Sequence, residues 1–246
     1  MYKLNKHFSD LREAYQSVGK RTWLASDFDK TQLEISRSLF NPESLESRNP
    51  RPKAQEVYAL LSGLPFEEDF TEALISVQKE ISKILKDSLH YWVLPQNLGL
   101  EYCVFKWPDD YWHDSWQSSI ETTLTALKPS VFKFIIGGIQ INPDGCVVAR
   151  GFDKNAEIFR LRTRLKSEIS FMPKKQSAWA HVPLGRILEP LGVRRFSDLA
   201  SLMQELSDIT IASTEIRSMK FIHETRWYME ERELIAEYPL IQTSAK

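Results

Sequence analysis

The stretch SAWAHVPLGRIL, Ser177–Leu188, reads as a β-strand that carries one conspicuous histidine. Alternate side chains of a strand share a face, so Trp179, His181 and Pro183 form one row. A histidine in such a row belongs either to a packed core or to the wall of a ligand cleft. What the rest of the chain builds around the strand decides between them.

Outward from this strand, one order of elements occurs twice. The run YWVLPQNLGLEYCVFKW, Tyr91–Trp107, is strand-like and broken at Pro95–Asn97. An aromatic, acidic loop, KWPDDYWHDSW, leads to a helix face of Trp116, Ile120, Leu124 and Leu127. A hairpin follows: SVFKFIIGGIQI, the turn Asn142–Pro143–Asp144–Gly145, then CVVARGF. Ile158, Leu161, Leu165 and Ile169 mark a second helix. The Ser177–Leu188 strand then precedes a helix with Ser197 as its cap and Leu199, Leu202, Met203 and Leu206 on its face. Two closing strands are expected in TEIRSMKFIHET and ELIAEYPLI. The strand–helix–hairpin unit thus begins near Leu98 and again near Ala178, which implies two similar lobes facing a cleft.

The fold class is therefore α/β in the α+β sense: bilobal, pseudo-duplicated, with antiparallel sheets around a central cleft and helices outside. Residues 1–65 are expected to form a helical and loop extension, and 66–246 the bilobal domain. Its lobes fall at roughly 91–170 and 171–246 and are intertwined. Within the extension, SDLREAYQSV suggests a short helix capped by Ser9, and SLFNPESLESRNPRPKAQ a loop. Phe70, Leu74, Val77, Ile81, Ile84 and Leu85 recur at helical spacing, with acids at the start of that segment and lysines at its end.

Composition narrows the function classes. With 32 Lys and Arg against 33 Asp and Glu, the 246-residue chain has a net charge of −1 and no global basic field. Duplex DNA is not an expected partner, and any RNA contact must be local. No apolar run approaches the roughly 18 residues of a membrane helix, so no membrane partner is expected. The two cysteines, Cys103 and Cys146, sit in apolar strand-like runs without metal or redox spacing, as reduced thiols of a cytoplasmic protein would. No histidine pair has metal-ligand spacing, and neither a metal nor another cofactor is expected.

Four features together resemble the two-histidine (2H) phosphoesterase superfamily over roughly residues 90–241: WAHVPLGRIL, the hairpin FKFIIGGIQINPDGCVVARGFD, the helix FRLRTRL, and the closing SMKFIHETRWY with LIAEYPL. That family includes RNA 2′,3′-cyclic phosphodiesterases and the bacterial proteins called 2′-5′ RNA ligases. The resemblance implies one His-x-Thr/Ser motif strand per lobe. One imidazole then accepts a proton from the attacking oxygen, the other donates to the leaving oxygen, and the hydroxyls hold the phosphate. The implied ligand is a nucleotide or RNA-end phosphodiester.

This chain departs from that motif. Gly99 stands where the first histidine belongs and Glu101 where its hydroxyl partner belongs. His181 is in place in the second motif, but Pro183 replaces the second hydroxyl. One reading keeps catalysis, with His181 and Glu101 as the acid–base pair and Arg186 and Arg150 as phosphate contacts. Trp179 and Tyr102 complete its substrate-binding set. A second reading makes the cleft a non-catalytic nucleotide site. A third makes the protein an interaction module with a vestigial cleft.

Overall fold

The computed structural model describes residues 2–242. Two antiparallel sheets organise the chain. The first contains β1 (Ala54–Gly63), β3 (Gly99–Lys106), β8 (Ser218–Arg226) and β9 (Glu231–Pro239), in the order β3-β1-β8-β9. The second contains β2 (His90–Trp92), β4 (Phe132–Ile141), β5 (Cys146–Asp153), β6 (Val182–Ile187) and β7 (Thr210–Ile216), in the order β2-β6-β5-β4-β7. The helices are α1 (Tyr2–Thr22), α2 (Lys30–Arg37), α3 (Pro42–Glu46), α4 (Glu68–Leu85), α5 (Ser115–Ala126), α6 (Glu157–Glu168) and α7 (Val193–Glu205).

The hairpin of β4 and β5 closes where its turn residues predict. Gly145 takes φ +80°, donates to the Asn142 carbonyl at 2.9 Å, and a side chain there would strike the Ile187 carbonyl. Strand periodicity and helix periodicity then explain the layering. α4 buries Leu74, Val77, Ile81 and Leu85 against one face of the second sheet. On that face Gln78 donates to the Val93 and Leu184 carbonyls at 3.0 and 2.9 Å, and Trp92 Nε1 donates to Ser82 Oγ at 2.8 Å.

The opposite face of the second sheet is the one that carries His181. Register places Tyr91 opposite Arg186, Arg186 opposite Cys146, and Pro183 opposite Val148. The N-terminal helices cover this face. Tyr15 of α1 donates to the Gly151 carbonyl and accepts from the Ala180 amide, and Thr22 donates to the Ile141 carbonyl. Ser36 of α2 donates to the Asp144 carbonyl, Leu33 packs at Gly145, and Phe40 meets Tyr91 with ring centroids 5.1 Å apart.

Several expectations are corrected. Ser9 lies inside α1, a helix far longer than SDLREAYQSV, and Ser197 lies inside α7, which starts after Gly192 at φ +80°. The expected 38–55 loop contains the single-turn α3 and the start of β1. TEIRSMKFIHET breaks at Arg217 into β7 and β8, which belong to different sheets. β1 lies between β3 and β8, so residues 54–63 are the centre of a lobe and the extension does not end at residue 65. The sheets interleave along the chain rather than dividing at residue 170: both β4 and β5 pair into the sheet of β6. Phe134 and Ile136 on β4 are as buried there as Leu184 on β6, because one core serves both.

Candidate functional site

Where the two lobes meet, α6 supplies the tie. Ile158, Leu161 and Leu165 form its buried stripe, and Arg162 falls on the same stripe, four residues after Ile158. Its Nε donates to the Tyr102 carbonyl at 2.8 Å, and its Nη2 donates to the Glu101 carbonyl at 2.8 Å and the Trp179 carbonyl at 2.7 Å. Both motif segments are thereby held by one guanidinium. The remaining nitrogen, Nη1, is buried with no partner among the described residues. A buried donor of a charged group left unpaired is energetically expensive, so its retention is informative.

His181 lies directly before β6, its ring nearly perpendicular to that of Trp179 at a centroid distance of 5.8 Å. Its Nδ1 is also buried without a partner among the described residues. Burial pulls its pKa down to about 4, and the like charges of Arg162 and Arg186 push the same way. The imidazole is therefore neutral at pH 7. Relative to an unfolded-chain value of 6.5, this group favours the fold above that pH and loses its contribution as pH falls toward 4.

Glu101 sits on β3 opposite Leu61. Burial raises its pKa, and Arg162 opposes the shift. The wall around it is apolar: Val57, Ala59, Leu61, Leu64, Val104 and Ile222, with Trp107, Trp227 and Met229 packed on top. Glu101 and His181 form no ion pair; the charge acting on both is Arg162. A second carboxyl, Glu224 of β8, is 2% exposed and accepts from the Met229 amide at 2.9 Å. Burial lifts its pKa to about 8, with the neighbouring Glu101 adding to the rise.

The other expected site residues lie as follows. At Gly99 an added Cβ would meet Leu64 at 3.1 Å, so leucine side chains occupy the space of a first-motif histidine. Pro183 stands in register with Val148 and offers no donor. Arg186 is not available to a phosphate through its bonded nitrogens. It pairs with Asp144 at 2.7 Å and donates to Ser36 Oγ at 2.9 Å and Tyr228 Oη at 2.7 Å. Tyr102 is a core residue rather than a cleft residue: it is fully buried, its hydroxyl 2.8 Å from Ser62 Oγ. Arg150 bonds Gln140 Oε1 and the Ser207 carbonyl and is not among the charges acting on His181.

Arg162, Glu224 and Tyr228 were not legible as site residues. Arg162 alone had a signal, an arginine inside the apolar stripe of FRLRTRL. Tyr228, at φ +64° in the turn after β8, reaches Arg186 only because that turn folds toward the second sheet. Among the described residues, no group of three or more His, Cys, Asp and Glu side chains is arranged to hold a metal.

Two antiparallel sheets that approach each other at β3 and β6, with a histidine just before β6, have the arrangement of the 2H phosphoesterase fold. Solved structures share it. TT0787 of Thermus thermophilus is 12% identical with a TM-score of 0.57, covering 76% of this chain and 100% of its own. Escherichia coli LigT in apo form is 11% identical with a TM-score of 0.54, covering 77% of this chain and 100% of its own. ATU0111 of Agrobacterium tumefaciens str. C58, a protein of unknown function, is 10% identical with a TM-score of 0.56, covering 75% and 86%. LigT has also been crystallised with phosphate, 3′-AMP and ATP. No family model matches the sequence, and no curated protein matches it. At these identities the likeness is one of fold.

Proposed function

We propose that this protein binds a nucleotide or RNA-end phosphodiester in the cleft between its lobes, and that two-histidine catalysis has been lost. The observation that carries this reading is the pair of unpartnered buried nitrogens, Arg162 Nη1 and His181 Nδ1, at the junction of the two motif segments. A phosphate oxygen supplies the acceptor that Nη1 lacks, and it accepts from Nδ1 in the tautomer that carries the proton there. The LigT complexes with phosphate and 3′-AMP support a phosphate ligand for this fold. What supports loss of turnover is the chemistry present: one imidazole where the reaction uses two, with neither motif hydroxyl.

One feature favours a second reading, in which catalysis persists in altered form. Glu101 is shifted up and His181 down. A protonated carboxyl could donate to a leaving oxygen while neutral imidazole accepts from the attacking one. The experiment is incubation with 2′,3′-cyclic nucleotides and short 2′-5′-linked RNAs, with and without chelator, beside His181→Ala. The first reading expects nucleotide binding without turnover. Chelator-resistant turnover lost in the variant establishes the second reading. Absence of both binding and turnover overturns both and leaves the protein-interaction module.

A further inference from the structure

A cavity of about 380 Å³ lies between α1, the β4–β5 pair and α7. Arg150 lies in its wall, with Ile139 and Met203 as buried apolar neighbours and Trp23 at the α1 side. Lys20, Ser201 and Gln204 stand exposed around its mouth. The volume falls within the range of small-molecule sites.

Arg150 is the unusual component. It is 7% exposed and its guanidinium has no carboxylate within ion-pair distance among the described residues. Nε donates to Gln140 Oε1 at 3.2 Å and Nη1 to the Ser207 carbonyl at 2.9 Å, both neutral acceptors. Nη2 makes no hydrogen bond among the described residues. The acid that acts on it, Asp208, also lines the cavity; it is exposed and out of ion-pair range of Arg150, with Oδ2 3.3 Å from Ser207 Oγ, while Arg12 repels. Burying a cation without its counter-charge is costly, and leucine or methionine would fill the same volume without that cost. The sequence keeps the charge and builds a cavity beside it.

We propose that this cavity binds a small organic anion, with a carboxylate or phosphate on Arg150 and Lys20 and an apolar body against Trp23, Ile139 and Met203. Guanidinium presents parallel donors that match either oxyanion, and the exposed lysine adds a second positive charge at the entrance. The lining of this cavity does not include His181 or Arg162. Neither Arg150 nor His181 is among the charges acting on the other, and α1 helps form this cavity but not the bonds that hold Arg162.

Calorimetry on the full chain with benzoate, phenyl phosphate and benzyl alcohol tests it. Benzoate and phenyl phosphate share the ring and differ in the oxyanion, so their relative affinities say which group the site takes. The neutral alcohol reports ring burial alone. Binding of either anion is expected, with affinity about tenfold or more weaker in Arg150→Gln. Arg150 contributes to packing, so two exposed variants serve beside it. Lys20→Glu reverses the charge at the mouth, and Ser201→Trp blocks it; each is expected to weaken binding while the melting temperature holds. His181→Ala should bind as the parent does. The proposal is overturned by no anion binding, by equal binding of benzyl alcohol, by binding unchanged in Lys20→Glu and Ser201→Trp, or by binding that His181→Ala abolishes.

Discussion

At the residue scale, Glu224 and His181 give the fold opposite sensitivities to pH. A carboxyl raised from 4.5 to about 8 binds its proton more tightly in the folded state, so its contribution weakens as pH rises between those values. Glu224→Gln removes that titration while keeping an acceptor for the Met229 amide. The variant should gain stability relative to the parent from pH 5 to pH 8, by on the order of 2 kcal/mol at the upper end. Urea denaturation midpoints across that range measure it, and parallel profiles would refute the assignment. Of these residues, His181 was legible because it stands out in an apolar run, although the strand itself begins only at Val182. Arg162 and Glu224 were not, because a charged residue in a helix or closing strand ordinarily faces water. Only the docking of α6 across both motif segments, and the apolar cover over β8, turns them inward.

At the element scale, the β4–β5 turn, β6, α2 and the turn after β8 converge on Arg186. Its partners Asp144, Ser36 and Tyr228 come from three separate segments. Both members of the Arg186–Asp144 pair are mostly buried, at 16% and 21% side-chain exposure. Removing one charge strands the other. Asp144→Asn should therefore destabilise by about 3 kcal/mol or more, against about 1 kcal/mol for Tyr228→Phe, which deletes one hydrogen bond. Thermal unfolding of the two variants decides; equal small losses would mean solvent screens the pair. The elements themselves were unevenly readable. The β4–β5 hairpin was plain from Asn-Pro-Asp-Gly between apolar runs, and α4 from its stripe. β1 was missed because Val57–Ser62 is buried on both faces, so its sequence shows no alternation and follows a proline-rich segment.

At the scale of the whole molecule, the solved structures of the same fold are covered over their full lengths by about three quarters of this chain. The segment preceding β1 is of a size with the remainder. Here that segment is core: Tyr15, Leu33 and Phe40 are at most 1% exposed. Deleting residues 1–53 would bare the His181 face of the second sheet and leave the Arg186 cluster without Ser36. The truncated chain should be insoluble or unfold without a sharp transition, as near-ultraviolet circular dichroism and melting curves will show. A soluble, cooperatively unfolding truncation would mean that the segment is an appendage.

The position of β1 has a consequence for how the chain acquires its structure. Its central residues pair with β3 on one side and with β8 on the other, Leu60 facing Cys103 and Phe221. The second partner arrives about 160 residues later, so closing this loop carries a large entropy cost before its contacts repay it. During synthesis the second sheet has all of its strands before β8 exists, and α1 and α2 can settle on it early. The first lobe must wait, with one edge of β1 open, until β8 emerges.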